Sequence, residues 1–121
     1  MYRVPAKDVF KILLDLPNRS GGLETWTPTK KYILVIRDEP NETEIAVVVA
    51  SSRKSERMIK AYEVDFRSEP QSFPKDTIVD CRWIWTIPRA ELGSAQAKFT
   101  VGDEKMQEIR EAIAIGLNLF A

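Results

Sequence analysis

Two apolar runs, Tyr32-Ile33-Leu34-Val35-Ile36 and Ile45-Ala46-Val47-Val48-Val49-Ala50, flank a polar turn, Arg37-Asp38-Glu39-Pro40-Asn41-Glu42-Thr43. Both runs are short, rich in β-branched side chains and bounded by turn residues, which predicts strands. Their apolarity is continuous rather than alternating, so both faces of each strand must be covered. A hairpin around the Pro-Asn turn makes the two strands antiparallel neighbours. The start of the first and the end of the second then lie at the same edge of the sheet. Lys30 and Lys31 enter the first strand, and Ser51, Ser52 and Arg53 leave the second. Two ammonium groups, two hydroxyls and a guanidinium therefore gather at one end of the hairpin. A polar strand end is also how buried strands commonly reach water, so this feature is compatible with a binding site and with plain solvation.

The rest of the chain is arranged around this hairpin. Val9 to Leu16 reads as a strand stopped by Pro17-Asn18-Arg19-Ser20-Gly21-Gly22. The loop from Pro17 to Thr29, which carries Arg19 and Trp26, is long for a connection between strands, and such loops are more often functional than idle. The run holding Arg53, Lys54, Arg57 and Lys60 is either a solvated hairpin tip or a phosphate-facing loop. Between Met58 and Phe66, Tyr62, Val64 and Phe66 alternate with Glu63 and Asp65, predicting a strand with one wet face. Thr77 to Asp80 and Trp83 to Ile87 are further strands, the latter ended by Pro88 and putting Trp83 and Trp85 on one face. From Asp103, the spacing of Met106, Ile109, Ala112, Ile113 and Leu117 predicts a helix with an apolar stripe. The expectation is a mostly β (α+β) chain, a small barrel with a C-terminal α-helix, forming a single domain over its 121 residues.

Composition narrows the chemistry. The chain has no histidine and one cysteine, Cys81. Ser-His-Asp and Cys-His catalysis are excluded, as are an intrachain disulfide and a cysteine-rich zinc site. No cofactor and no metal are expected. The formal net charge is zero, so a polyanion must be held by a local patch rather than by the field of the whole molecule. No apolar run reaches the ~20 residues of a membrane span, and the opening Met1-Tyr2-Arg3-Val4-Pro5 has no signal-peptide core. The expectation is a cytoplasmic protein with no membrane partner.

In order and spacing the segments resemble the MazF/PemK family, type II toxin-antitoxin endoribonucleases with an SH3-like barrel. Phe10-Lys11-Ile12-Leu13-Leu14-Asp15-Leu16 followed by Ser20-Gly21-Gly22-Leu23-Glu24 resembles the opening strand and Gly-Ser-Glu loop. Lys31-Tyr32-Ile33-Leu34-Val35-Ile36 resembles the Arg-Pro-Val-Leu-Val-Leu strand. Trp85-Thr86-Ile87-Pro88-Arg89-Ala90-Glu91-Leu92 resembles the Arg-Thr-Ile-Asp-Lys-x-Arg-Leu block. The final helix matches in position and pattern. Lys31 stands at the family's arginine, Tyr32 at its proline, Trp85 at the arginine of its Arg-Thr-Ile triplet, and Ser51, with Ser52 one register away, at its Thr or Ser.

The resemblance implies metal-free, sequence-specific cleavage of single-stranded RNA through attack by the ribose 2′-hydroxyl. It also implies a homodimer and inhibition by a cognate antitoxin protein. Lys31, Ser51 and Ser52 would be the catalytic group. Arg19, Lys30, Arg53, Lys54, Arg57 and Arg82 would be the RNA-binding cations. Without histidine, a cation beside a hydroxyl is a workable minimum for stabilising the phosphorane. Lys31 keeps the charge of the family's arginine but not its bidentate fork. Two functions stay open: an endoribonuclease, or a catalytically degenerate barrel acting as a binding or assembly module. Arg82 has an alternative of its own, an ion pair with Asp80 or Asp76.

Overall fold

The computed structural model of the protein describes residues 7–14, 29–39, 41–52, 59–67, 69 and 72–118. Strand β1 spans Asp8–Leu14, β2 Thr29–Asp38, β3 Glu44–Ser52, β4 Glu63–Asp65, β5 Thr77–Asp80, β6 Trp85–Pro88 and β7 Phe99–Thr100. A 3-10 turn, Arg89–Leu92, follows β6, and helix α1 runs Asp103–Gly116. The sheet is antiparallel, in the order β4-β5-β3-β2-β1-β7.

Strand β3 is where this sheet curls. One of its edges pairs with β2 from Ile45 to Ala50. The other is shared, with Glu44–Val47 pairing with β6 and Ala50–Ser52 with β5. Two strands on one edge must diverge, so the sheet bends into a half-barrel. An irregularity in β2 between Val35 and Arg37 adds local twist.

Both faces of the central hairpin are covered, as its continuous apolarity demands. Ile33, Val35, Ile45 and Val47 pack with Phe10, Ile12, Ile87 and Leu92 on one face. Leu34, Val48 and Ala50 pack with Val9, Val79 and the helix residues Met106, Ile109 and Ala112 on the other. Ile113 is partly buried, whereas Leu117 lies just past the helix and is exposed. Phe73 ties the β4–β5 loop into the helix-side core. It meets Tyr32, Phe66 and Phe99 edge-on, with ring centres 5.6, 5.3 and 4.9 Å away. The last turn of α1 sits tightly on the Cys81–Arg82 turn. A Cβ on Gly116 would come within 2.9 Å of the Cys81 carbonyl oxygen, so only glycine fits without backbone movement.

Three expectations need correction. The strand predicted across Met58–Phe66 is only Glu63–Asp65. Its expected wet face is not uniformly wet: Glu63 is buried, because its Oε1 accepts from the Lys60 backbone N–H at 3.0 Å. Trp83 precedes β6 instead of belonging to it. It is exposed, whereas Trp85 leans half-buried on the Ile87 side of the core.

Candidate functional site

The β2–β3 ladder ends at the Tyr32–Ala50 pair. One residue further along each strand stand Lys31 and Ser51, at the same end of the sheet. On its other side Lys31 pairs with Ile12 of β1, while Ser51 pairs with Ile78 and Ser52 with Thr77 of β5. Strand alternation puts Lys31 in step with Ile33 and Val35, and Ser51 in step with Val47 and Val49. Ser52 falls in step with Val48 and Ala50, the alternate set. Lys31 is exposed at the rim of the Ile33–Val35 face, so an apolar floor adjoins its charge. Such an arrangement can hold an anion: the rigid ladder positions the cation, and solvent reaches it.

Lys30 lies next to Lys31, opposite Leu13 of β1, and is exposed. Arg19, Arg53, Lys54 and Arg57 lie outside the described residues, as does nearly all of the Pro17 to Thr29 loop.

Arg82 is held elsewhere. Its register lies past the end of β5, on the turn beneath the helix C-terminus. Its Nη2 is 2.8 Å from Asp80 Oδ2 and its Nε 3.1 Å from Oδ1, so its partner is Asp80 rather than Asp76. The hydrogen bonds from Asp80 hold the guanidinium pKa above its usual high value. The same group lies 4.2 Å from the Tyr62 ring centre and 5.6 Å from that of Trp83. Arg82 is thus a paired, stacked arginine and not a cation adjoining Lys31.

Other charged groups escaped sequence reasoning because their partners are distant in the chain. Lys105 donates to the Asp65 carbonyl at 2.8 Å and sits near Glu108 and Glu69, which fastens the helix to β4 and the loop after it. It borders a cleft of about 60 Å³, too small for a nucleotide. Arg89 lies against the buried Asp38 carboxylate and donates to the Glu39 and Glu42 carbonyls at 3.2 and 2.8 Å. Lys11 was hidden inside an apolar run, although its place in the alternation Val9, Lys11, Leu13 was a usable signal. Its Nζ lies 5.2 Å from the centre of the Tyr32 ring.

Cys81 is fully buried, and burial first, then the charges of Asp80 and Glu63, push its thiol up to about 12 from the usual 9.0. It is no nucleophile at neutral pH. The sign of the linkage follows. Between pH 9 and 12 the unfolded thiol gives up its proton while the folded one keeps it. Stability present below pH 9 is therefore lost as pH rises, by ~1.4 kcal/mol per unit. Urea midpoints at pH 8 and 10.5 should fall by ~2 kcal/mol more in the wild type than in Cys81→Ala. Parallel losses in the two proteins would refute this.

No family model and no curated protein matches the sequence. Solved structures do match by fold. An endoribonuclease in complex with its cognate antitoxin, from Mycobacterial species, has a TM-score of 0.66 at 19% identity over 96% of this chain and 97% of that one. The Mycobacterium tuberculosis toxin MazF-mt6 has a TM-score of 0.64 at 18% identity over 92% and 96%. MazF in a MazE-MazF structure from Deinococcus radiodurans has a TM-score of 0.64 at 14% identity over 97% of both. With a curled antiparallel sheet, a single closing helix among the described residues and near-complete coverage in both directions, the chain has a MazF/PemK-like fold.

Proposed function

We infer that the protein is a toxin-like, sequence-specific endoribonuclease of single-stranded RNA. The observation that carries this is the meeting of Lys31 with the Ser51 position at one end of the β2–β3 ladder. The MazF/PemK-like fold supports it. In the reaction the ribose 2′-hydroxyl attacks the adjacent phosphorus and loses its proton to water. The bond to the 5′-oxygen breaks, leaving a 2′,3′-cyclic phosphate and a 5′-hydroxyl. Lys31 stabilises the charge on the phosphorane oxygens and gives a proton to the departing 5′-oxygen. Ser51 bonds a phosphate oxygen, with Ser52 as its alternate. Lys30, Arg19, Arg53, Lys54 and Arg57 supply phosphate contacts, and Arg82 contributes only if RNA displaces Asp80. No cofactor or metal takes part.

The protein acts as a single cytoplasmic domain and as a homodimer. Exposed Leu13, Trp83, Ile115 and Leu117 give it apolar surface to cover. An antitoxin protein holds it inactive, as expected from neighbours that are solved with theirs. Incubating purified protein with a long RNA in EDTA and mapping the new ends tests the activity. The expected result is 5′-hydroxyl ends at one recurring short sequence. Absence of cutting both in EDTA and in magnesium overturns it. The binding-module function would then stand, in keeping with Trp85 and Lys31 at positions where the resembled family has arginine.

A further inference from the structure

Strands β1 and β2 carry a second basic surface, on the face away from Lys31. The cross-strand pairs Lys11–Tyr32 and Leu13–Lys30 put these four residues on one face, since neighbours directly opposite in a sheet share a side. Lys31 and its partner Ile12 fall on the alternate face. The Tyr32 ring is fixed by Phe73, edge-on at 5.6 Å, and the Lys11 ammonium rests 5.2 Å from its centre. Lys11 is thus a cation held in place rather than a free lysine tail. Lys11 and Lys30 are exposed, and Leu13 between them is 56% exposed. Strand β7 covers β1 only at Asp8 and Val9, leaving this end of the face bare among the described residues. From Val9 to Leu14 and from Thr29 to Ile36 the sequence contains no carboxylate. Among the described residues no carboxylate pairs with either lysine.

We propose that this face is a second subsite for single-stranded RNA, in which Lys11 and Lys30 hold a backbone phosphate and Leu13 packs against a base. The subsite rests on the RNA-cleaving function above and extends it around the strand end from Lys31. Charge decides the occupant. A second copy of this chain meeting the face symmetrically would bring lysines against lysines. RNA brings anionic phosphates to the cations and a flat apolar base to the leucine, and it continues from a phosphate engaged at Lys31.

The test uses Lys11→Ala/Lys30→Ala and Leu13→Ser, all at exposed positions. A fluorescent single-stranded RNA is titrated at several salt concentrations, with cleavage kinetics alongside. The double lysine variant should raise Kd about tenfold and flatten the salt slope by about 1.4, at about 0.7 per lost phosphate contact. KM should rise with it while kcat stays within about twofold. Leu13→Ser should weaken binding to ordinary RNA about fivefold, leave the salt slope alone, and have no effect on an abasic strand. Wild-type Kd and slope in both variants would overturn the subsite while leaving the cleavage function intact. RNA bound but not cut, with binding lost in the lysine variant, would uphold the subsite and remove the cleavage function. A wild type that binds no RNA removes both. A lysine variant that keeps RNA affinity but changes solution mass would assign the face to a second copy. A polyglutamate peptide that competes as well as RNA would assign it to an acidic protein. Either result overturns the proposal.

Discussion

Lys31→Ala should cut RNA about 10²–10³-fold more slowly than the wild type, because a single lost stabilising donor typically costs that much. The loss should fall on kcat, since the charge matters most on the phosphorane, which exists only in the transition state. Stability should hardly change. Lys31 is exposed, with no ion pair to a described residue, and exposed substitutions of this kind stay within about 0.5 kcal/mol. Lys31→Arg should retain most of the activity, because it keeps the charge and restores a two-pronged donor. Ser51→Ala should lose less than Lys31→Ala, since water replaces a hydroxyl more easily than a charge. Single-turnover rates on a saturating RNA separate these cases. Equal cleavage by Lys31→Ala and wild type would move the catalytic site elsewhere.

Arg89→Leu should destabilise the fold by about 3–5 kcal/mol without lowering the cleavage rate at temperatures where the variant stays folded. The Asp38 side chain is 1% exposed, and its carboxylate faces the Arg89 guanidinium. Removing the arginine leaves a buried charge without compensation, which costs more than the pair itself contributes. The turn also loses the bonds from Arg89 to the Glu39 and Glu42 carbonyls. Adding Asp38→Leu to Arg89→Leu should recover much of the loss, because the uncompensated charge is then gone. The activity is spared for a geometric reason. Asp38 pairs with Ile45 at the turn end of the hairpin, whereas Lys31 stands at the opposite end. Urea midpoints for the two single variants and the double variant decide it. If the double variant is no more stable than Arg89→Leu, the cost does not come from a stranded Asp38.

Local pattern was enough for the elements themselves. Two β-branched runs around Pro40-Asn41 fold as β2 and β3, and the spacing of Met106, Ile109 and Ala112 gives a helix over Asp103–Gly116. Their continuous apolarity correctly implied a hairpin covered on both faces. Where pattern failed, a distant partner had overridden it. Glu63 looked like a wet-face residue because alternation cannot see the Lys60 N–H that it caps. Trp83 looked like a strand residue, but pairing with β3 begins only at Trp85.

For the candidate site, the sequence by itself determined the residue types. With no histidine and one cysteine, proton transfer and phosphate stabilisation fall to lysine, arginine and hydroxyls, and Lys31 and Ser51 could be named from the two strand ends. Only the tertiary structure decided which of these groups meet. The register of β2 on β3 brings Lys31 alongside the Ser51 position, and the register of β2 on β1 places Lys11 over Tyr32. The Asp80 carboxylate occupies Arg82 away from that end of the sheet. The physical reason is that strand propensity is written in neighbouring residues, whereas pairing and register are chosen by contacts between segments far apart in the chain. A shift of one residue would exchange the faces of Lys30 and Lys31, and only the packed cores on both sides of the hairpin forbid it.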